Sequence, residues 1–129
     1  MKAYWDSSAL VESVVNDKIK RRLEAERGFT RPHTLAEIFS SLTGNPATRI
    51  ETDSAAKILE RLAISLDFVE LTGPEVLDAL KSAREKGVRG GRVHDYLHAV
   101  AAEKCGAKKI LTLDKNGFAG LTGLQVEQA

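Results

Sequence analysis

The chain has 129 residues, of which 43% are hydrophobic and 29% charged, and its formal net charge is +1. That length suits a single domain over residues 1–129 that buries roughly two thirds of its unfolded surface; no apolar run approaches the ~20 residues needed to span a bilayer, and a near-neutral charge excludes a whole-molecule field that would draw the chain onto nucleic acid. The single Cys105 excludes an internal disulfide, and a short apolar start that meets an acid at Asp6 matches neither a signal peptide nor a transit peptide, so a reducing, cytoplasmic setting is expected.

Lys2 to Trp5 reads as a first strand, with Tyr4 and Asp6 on one face and Ala3 and Trp5 on the other. Asp6 therefore ends a strand. Ser7 and Ser8 are expected to cap a helix through Ala9, Leu10 and Val14, and a second helix runs from Asp17 to Glu26 and stops at Gly28. Phe29 and Thr30 suit an edge strand. After Pro32, the segment His33 to Thr43 places Leu35, Ile38, Phe39 and Leu42 on one stripe, with Gly44 as its stop and Glu37 off the stripe. Asp53 to Leu66 carries Ile58, Leu59, Leu62 and Leu66 at helical spacing and leads to a strand at Phe68 to Leu71. Thr72 and Glu75 have capping-box spacing, Pro74 fits a first turn, and Val76, Leu77, Leu80 and Ala83 form the expected buried face.

Gly87, Gly90 and Gly91 then loosen the chain into a loop that bears Arg89 and Arg92. The stretch GRVHDYLHAVAAEKCGAKKILTLD follows. It places Asp95 in the first turn of a helix and Asp114 just past the last apolar residue of a strand, and a short final strand is expected around Leu124 to Val126. Strands alternating with helices imply a three-layer α/β/α domain with a mostly parallel central sheet. Cys105, near a helix end among alanines, reads as a small packed thiol.

Each acid alone is ordinary, because Asp is a common cap and turn residue and a helical Glu is usually solvated. Their combination is not. In a parallel sheet the carboxyl ends of the first strand and of the Ile110 to Leu113 strand lie on one side, so Asp6 and Asp114 converge if those strands are neighbours, while Asp95 and Glu37 approach from helices. Four clustered carboxylates repel unless a cation sits among them, and an all-oxygen acidic site is what Mg²⁺ or Mn²⁺ prefers. Such a site serves metal-assisted phosphoryl transfer. Arg84, Lys86, Arg89 and Arg92 lead directly into Asp95, and Arg89 and Arg92 are expected to bind substrate phosphate rather than serve the fold. His94 and His98 have the i, i+4 spacing of a transition-metal pair, but without the Glu of a zinc protease motif they are expected to flank the substrate or pack.

The segments YWDSSALV, TLAEIFSSLTG, HDYLHAVAAEKCGAKKILTLD and the following NGF together resemble PIN-domain ribonucleases, and among them most closely the VapC toxins of toxin–antitoxin pairs. The resemblance implies that Asp6, Glu37, Asp95 and Asp114 form a metal-binding catalytic site, and that Ser8 and Thr112 support it. It further implies Mg²⁺-dependent cleavage of RNA, inhibition by a cognate antitoxin protein, and a homodimer. Where some members carry a further acid after the last Asp, this chain has Asn116, which points to one metal rather than two. Two other readings compete. A phosphoacceptor receiver domain expects an acidic pair after the first strand, whereas Ser7 and Ser8 follow Asp6 here; a non-catalytic PIN-like module for RNA or protein is not favoured, because all four acids are present. On the nuclease reading, Asp6→Asn is expected to abolish cleavage while leaving the fold intact or relaxed.

Overall fold

All three residues of β1 (Ala3–Trp5) are buried, as a strand must be when a parallel sheet is covered by helices on both faces. A computed structural model describes residues 2–129 and places β1 in the middle of a five-stranded sheet. The other strands are β2 (Gly28–Thr30), β3 (Leu66–Phe68), β4 (Lys109–Thr112) and β5 (Gln125–Gln128), in the spatial order β3-β2-β1-β4-β5. Every neighbouring pair is parallel. Tyr4 is in register with Phe29 on one side and Ile110 on the other.

Because successive side chains of a strand point to opposite faces, the sheet divides the core into two. Tyr4 and Ile110 pack with Tyr96, Ala99, Ala102, Phe118 and Leu121. Ala3, Trp5 and Leu111 pack with Ala9, Leu10, Leu23, Ile38 and Leu66. The second layer is built by α1 (Ser7–Val15), α2 (Asp17–Glu26), α3 (Pro32–Gly44) and α4 (Thr52–Ala63), and the first by α5 (Gly73–Lys81) and α6 (Val93–Lys104). The chain is thus the expected three-layer α/β/α fold, with a sheet that is wholly rather than mostly parallel.

Several boundaries differ from expectation for identifiable reasons. Asp6, not Ser7 or Ser8, is the N-cap of α1, since its side chain accepts from the Ala9 N–H. β2 is interior rather than an edge, lying between β1 and β3. Leu66 keeps the helical spacing of Leu59 and Leu62, but α4 ends at Ala63 because the Ser65 carbonyl is taken by the Gly28 N–H, which draws Leu66 into β3. Helix α5 has the expected capping box, yet Leu77 and Leu80 are exposed. It docks through another face, with Ala79 packed on the core and its carbonyl accepting from the Tyr96 hydroxyl.

Gly28 is fixed by contact rather than by backbone freedom. A Cβ there would lie 2.6 Å from Cδ1 and 2.8 Å from Nε1 of the fully buried Trp5. Gly28→Ala is therefore expected to cost about 1–3 kcal/mol through overpacking. Chemical denaturation would measure it, and an unchanged midpoint would mean that the indole has room to move.

Candidate active site

A sheet whose strands are all parallel gathers its carboxyl ends on one edge, and the order β3-β2-β1-β4-β5 reverses direction between β1 and β4. Asp6 follows β1 and Asp114 follows β4, so the two acids flank that switch point. The strand ends are laced together by side chains. Asp6 is only 4% exposed; its Oδ1 accepts from the Ala9 N–H at 2.9 Å and the Ser8 hydroxyl at 2.7 Å, and its Oδ2 accepts from the Thr112 hydroxyl at 2.6 Å. Ser8 Oγ in turn accepts from the Leu113 N–H and Thr112 Oγ1 from the Asp114 N–H, each at 3.0 Å. Both hydroxyls therefore connect Asp6 to the chain that carries Asp114.

Asp6 consequently has a structural duty that the sequence did not disclose. Asparagine would keep one acceptor oxygen but turn an NH₂ group toward donors that Asp6 satisfies now. The expectation that Asp6→Asn relaxes the fold is corrected: losing part of an N-cap and a buried acceptor destabilises by about 1 kcal/mol.

Asp114 Oδ1 accepts from the Gly117 N–H at 3.1 Å, which starts a 3-10 turn over Lys115–Phe118. That turn presses a glycine against two acids. A Cβ on Gly117 would stand 2.9 Å from Oδ2 of Asp114 and 2.9 Å from Oδ2 of Asp95, so the two oxygens are separated by at most twice that distance. Asp95 lies in the first turn of α6 and its carboxyl is pushed above the ordinary Asp value, first by burial and then by the negative charges of Asp6, Asp114 and Glu37, against an opposing pull from His98. The contact through Gly117 ties Asp95 to Asp114, and the Thr112 hydroxyl ties Asp6 to the chain that carries Asp114.

Glu37 reaches the site from α3. Its Oε1 accepts from Nε2 of His98 at 2.8 Å, and Nδ1 of the same ring lies 2.7 Å from the Tyr4 hydroxyl. An ionised carboxylate can only accept, so Nε2 donates to Glu37, while Nδ1 and the Tyr4 hydroxyl form a second hydrogen bond that fixes the ring. Burial holds the Tyr4 phenol far above its usual range, which keeps it protonated for that role. Burial also works to raise Glu37, but the His98 hydrogen bond, with the charges of His98, His33 and His94, outweighs it and sets the carboxyl below the usual Glu value. His98 is thus a buried positioning residue and not half of a ligand pair with His94, which is exposed.

The matches to known proteins accord with this geometry. The model of the PIN domain family covers residues 3–123. The chain belongs to the PIN domain family. Members are typically metal-dependent nucleases that bind divalent metal ions. The crystal structure of PAE2754 from Pyrobaculum aerophilum has the same fold, with a TM-score of 0.69 at 21% sequence identity over 98% of this chain and 89% of that chain. No curated protein matches the sequence.

In this PIN domain the four carboxylates supply only oxygen, the donor set that suits a hard divalent cation. The residues therefore fit the group that the family implies. They follow the carboxyl ends of the strands, and none of them lines the apolar cleft bordered by Leu23, Ile58, Leu62 and Ser65.

The basic loop divides in two. Arg92 is anchored, donating to the Gly87 carbonyl at 3.3 Å and to the Ala119 carbonyl, so it braces the glycine loop against the segment after Asp114, contrary to the expectation that it is a freely presented phosphate ligand. Arg89 is exposed and makes no such bond among the described residues. Gly117 and Tyr4 were noted only within motif segments, and neither they nor His33 had a role assigned from the sequence. The first had a legible signal, since Asp114 followed by a glycine three residues on marks a side-chain-capped turn.

Proposed function

We propose that this PIN domain is a Mg²⁺-dependent endoribonuclease that acts as the toxin of a VapBC-type toxin–antitoxin pair in the cytoplasm. The observation that supports the nuclease reading is that Asp6 and Asp114 follow the two strands at the switch point of the sheet, with Asp95 against Asp114 across Gly117. Asp6, Glu37, Asp95 and Asp114 would hold Mg²⁺, or Mn²⁺ in its place, and such an ion supplies a polarised scissile phosphate, an activated water and a stabilised leaving oxygen. The chain's own residues set the geometry. Asp6 is locked by three hydrogen bonds, Asp114 is pinned by its turn, and Glu37 is oriented through His98 and Tyr4. Glu37 keeps one carboxylate oxygen without a partner among the described residues, free to serve as its contribution to the ion. Arg89, on the exposed loop before α6, is placed to meet a substrate phosphate and offset its repulsion by the acids.

The toxin assignment, the protein antitoxin and a homodimeric state rest on the resemblance of the four motif segments to VapC toxins. A non-catalytic module is disfavoured by the presence of all four acids in the chain. Purified protein incubated with total RNA tests the reading: cleavage is expected with Mg²⁺ or Mn²⁺, should stop with EDTA and return when metal is added back. Full activity in EDTA would rule out the metal mechanism. Growth arrest on induced expression, relieved by a small gene adjacent to its own, would support the toxin role.

A further inference from the structure

Next to the carboxylate edge, three side chains converge in a way that the proposed reaction does not use. His33 lies one helical turn before Glu37 on α3, and His94 immediately precedes Asp95 on α6. One ligand atom from each of His33, Glu37 and His94 lies within 4.8 Å of the others. The two imidazoles are nearly parallel, 12° between planes with centroids 6.1 Å apart. Whereas His98 commits both nitrogens to Tyr4 and Glu37, His33 and His94 are exposed and have no hydrogen-bond partner among the described residues. Neither forms an ion pair with Glu37, whose one histidine salt bridge among the described residues is with His98. These rings are near one another and near a carboxylate without bonding to either.

We propose that His33, Glu37 and His94 form a second metal site, selective for Zn²⁺ or a similar borderline transition ion, separate from the all-oxygen site and coupled to it through Glu37. Two imidazoles and one carboxylate are donors of the kind that take transition ions over Mg²⁺. Metal–ligand distances of about 2.0–2.1 Å place ligand atoms of one tetrahedral ion about 3.3 Å apart. Exposed rings reach that spacing by small rotamer changes. With three protein ligands a position stays open for water or a phosphate oxygen.

The shared residue gives the site a consequence. One Glu37 oxygen is held by His98, so an ion between the two histidines engages the remaining one and withdraws it from the aspartates. Zn²⁺ then inhibits Mg²⁺-dependent cleavage. That inhibition rests on the nuclease reading, whereas the binding does not.

Calorimetric titration of untagged protein with ZnCl₂, in excess MgCl₂ and without nucleic acid, tests the binding alone. One tight equivalent per chain is expected. His33→Ala and His94→Ala should each weaken it by about a hundredfold or more, since even outer-shell losses cost 10–100-fold. Both residues are exposed, so both variants should melt as wild type. Asp114→Asn should bind Zn²⁺ as wild type does, and CoCl₂ should give visible absorption in wild type that the histidine variants lack. A wild-type chain that binds no Zn²⁺, or histidine variants that bind it normally while Asp114→Asn does not, would overturn the site. RNA cleavage that fails under all conditions while Zn²⁺ binds as described would overturn the nuclease reading and leave the site standing.

Discussion

Asp95→Asn is expected to lower RNA cleavage by on the order of a thousandfold while leaving the fold intact and, without metal, slightly stabilised. Asp95 is the better probe of the four because nothing structural depends on its charge. Asp6 caps a helix and accepts from Thr112, Asp114 caps a turn and Glu37 is bonded to His98, but Asp95 makes no hydrogen bond with its side chain among the described residues. What Asp95 has instead is burial and three like charges, and both raise its pKa. The folded value lies above the unfolded one, so the native state holds this proton more tightly. Stability from that preference is fully present below the unfolded pKa of ~3.9 and is lost as pH rises through the folded value. At neutral pH the ionised Asp95 is a liability, which solvent screening of a half-exposed group limits to about 0.5 kcal/mol.

The sign therefore distinguishes this residue. In EDTA, Asp95→Asn should melt above wild type near neutral pH, and the difference should shrink as pH falls through the raised Asp95 value toward the ordinary Asp pKa. Glu37 runs the other way: its folded pKa is depressed, so its contribution is present above the unfolded value and lost as pH falls through the folded one. Melting curves from about pH 8 down to about pH 2 resolve the two, because the Asp95 window lies above the usual carboxylate values and the Glu37 window below them. Cleavage by Asp95→Asn at the wild-type rate would remove Asp95 from the mechanism, and melting below wild type at neutral pH would mean that its carboxylate is stabilised in the fold.

Asp6 and Asp114 were legible as a pair because each follows a short apolar run, and a parallel sheet leaves few places for the ends of such runs. The order that makes β1 and β4 neighbours is a long-range property that no local pattern in the chain contains. Leu66 shows the limit of periodicity: its helical spacing was genuine, but a strand hydrogen bond from Gly28 to Ser65 decided its state. Leu77 and Leu80 show it again, since the helical stripe was present and tertiary docking chose the Ala79 face. His98 packs, as was expected, but its partners and those of His94 were not legible for a related reason. Spacing i, i+4 joined His94 to His98, whereas α6 buries His98 against Tyr4 and turns His94 toward His33 on another helix. A spacing rule sees one element at a time, and this site is assembled from the ends of several.

Gly117→Ala is expected to reduce cleavage by about tenfold with little loss of stability. The added methyl would stand 2.9 Å from Oδ2 of both Asp95 and Asp114 and 3.3 Å from Asp114 Cγ, closer than real Cβ atoms come. Gly117 does not have a positive φ, so alanine meets no backbone strain there, and what must yield are the ends of two short side chains. A shift of both carboxylates by a fraction of an ångström is enough to misplace reacting groups, where ~1 Å costs about a hundredfold in rate. Gly120, three residues on, supplies the opposite case. Its φ is +77° with open space around it, so Gly120→Ala strains the backbone without touching an acid. That variant should lose about 1 kcal/mol of stability and cleave normally below its melting temperature. Single-turnover cleavage at saturating Mg²⁺, paired with thermal melts, separates the two glycines. Wild-type cleavage by Gly117→Ala would mean that the Asp95 and Asp114 carboxylates are not the groups that the reaction requires in place.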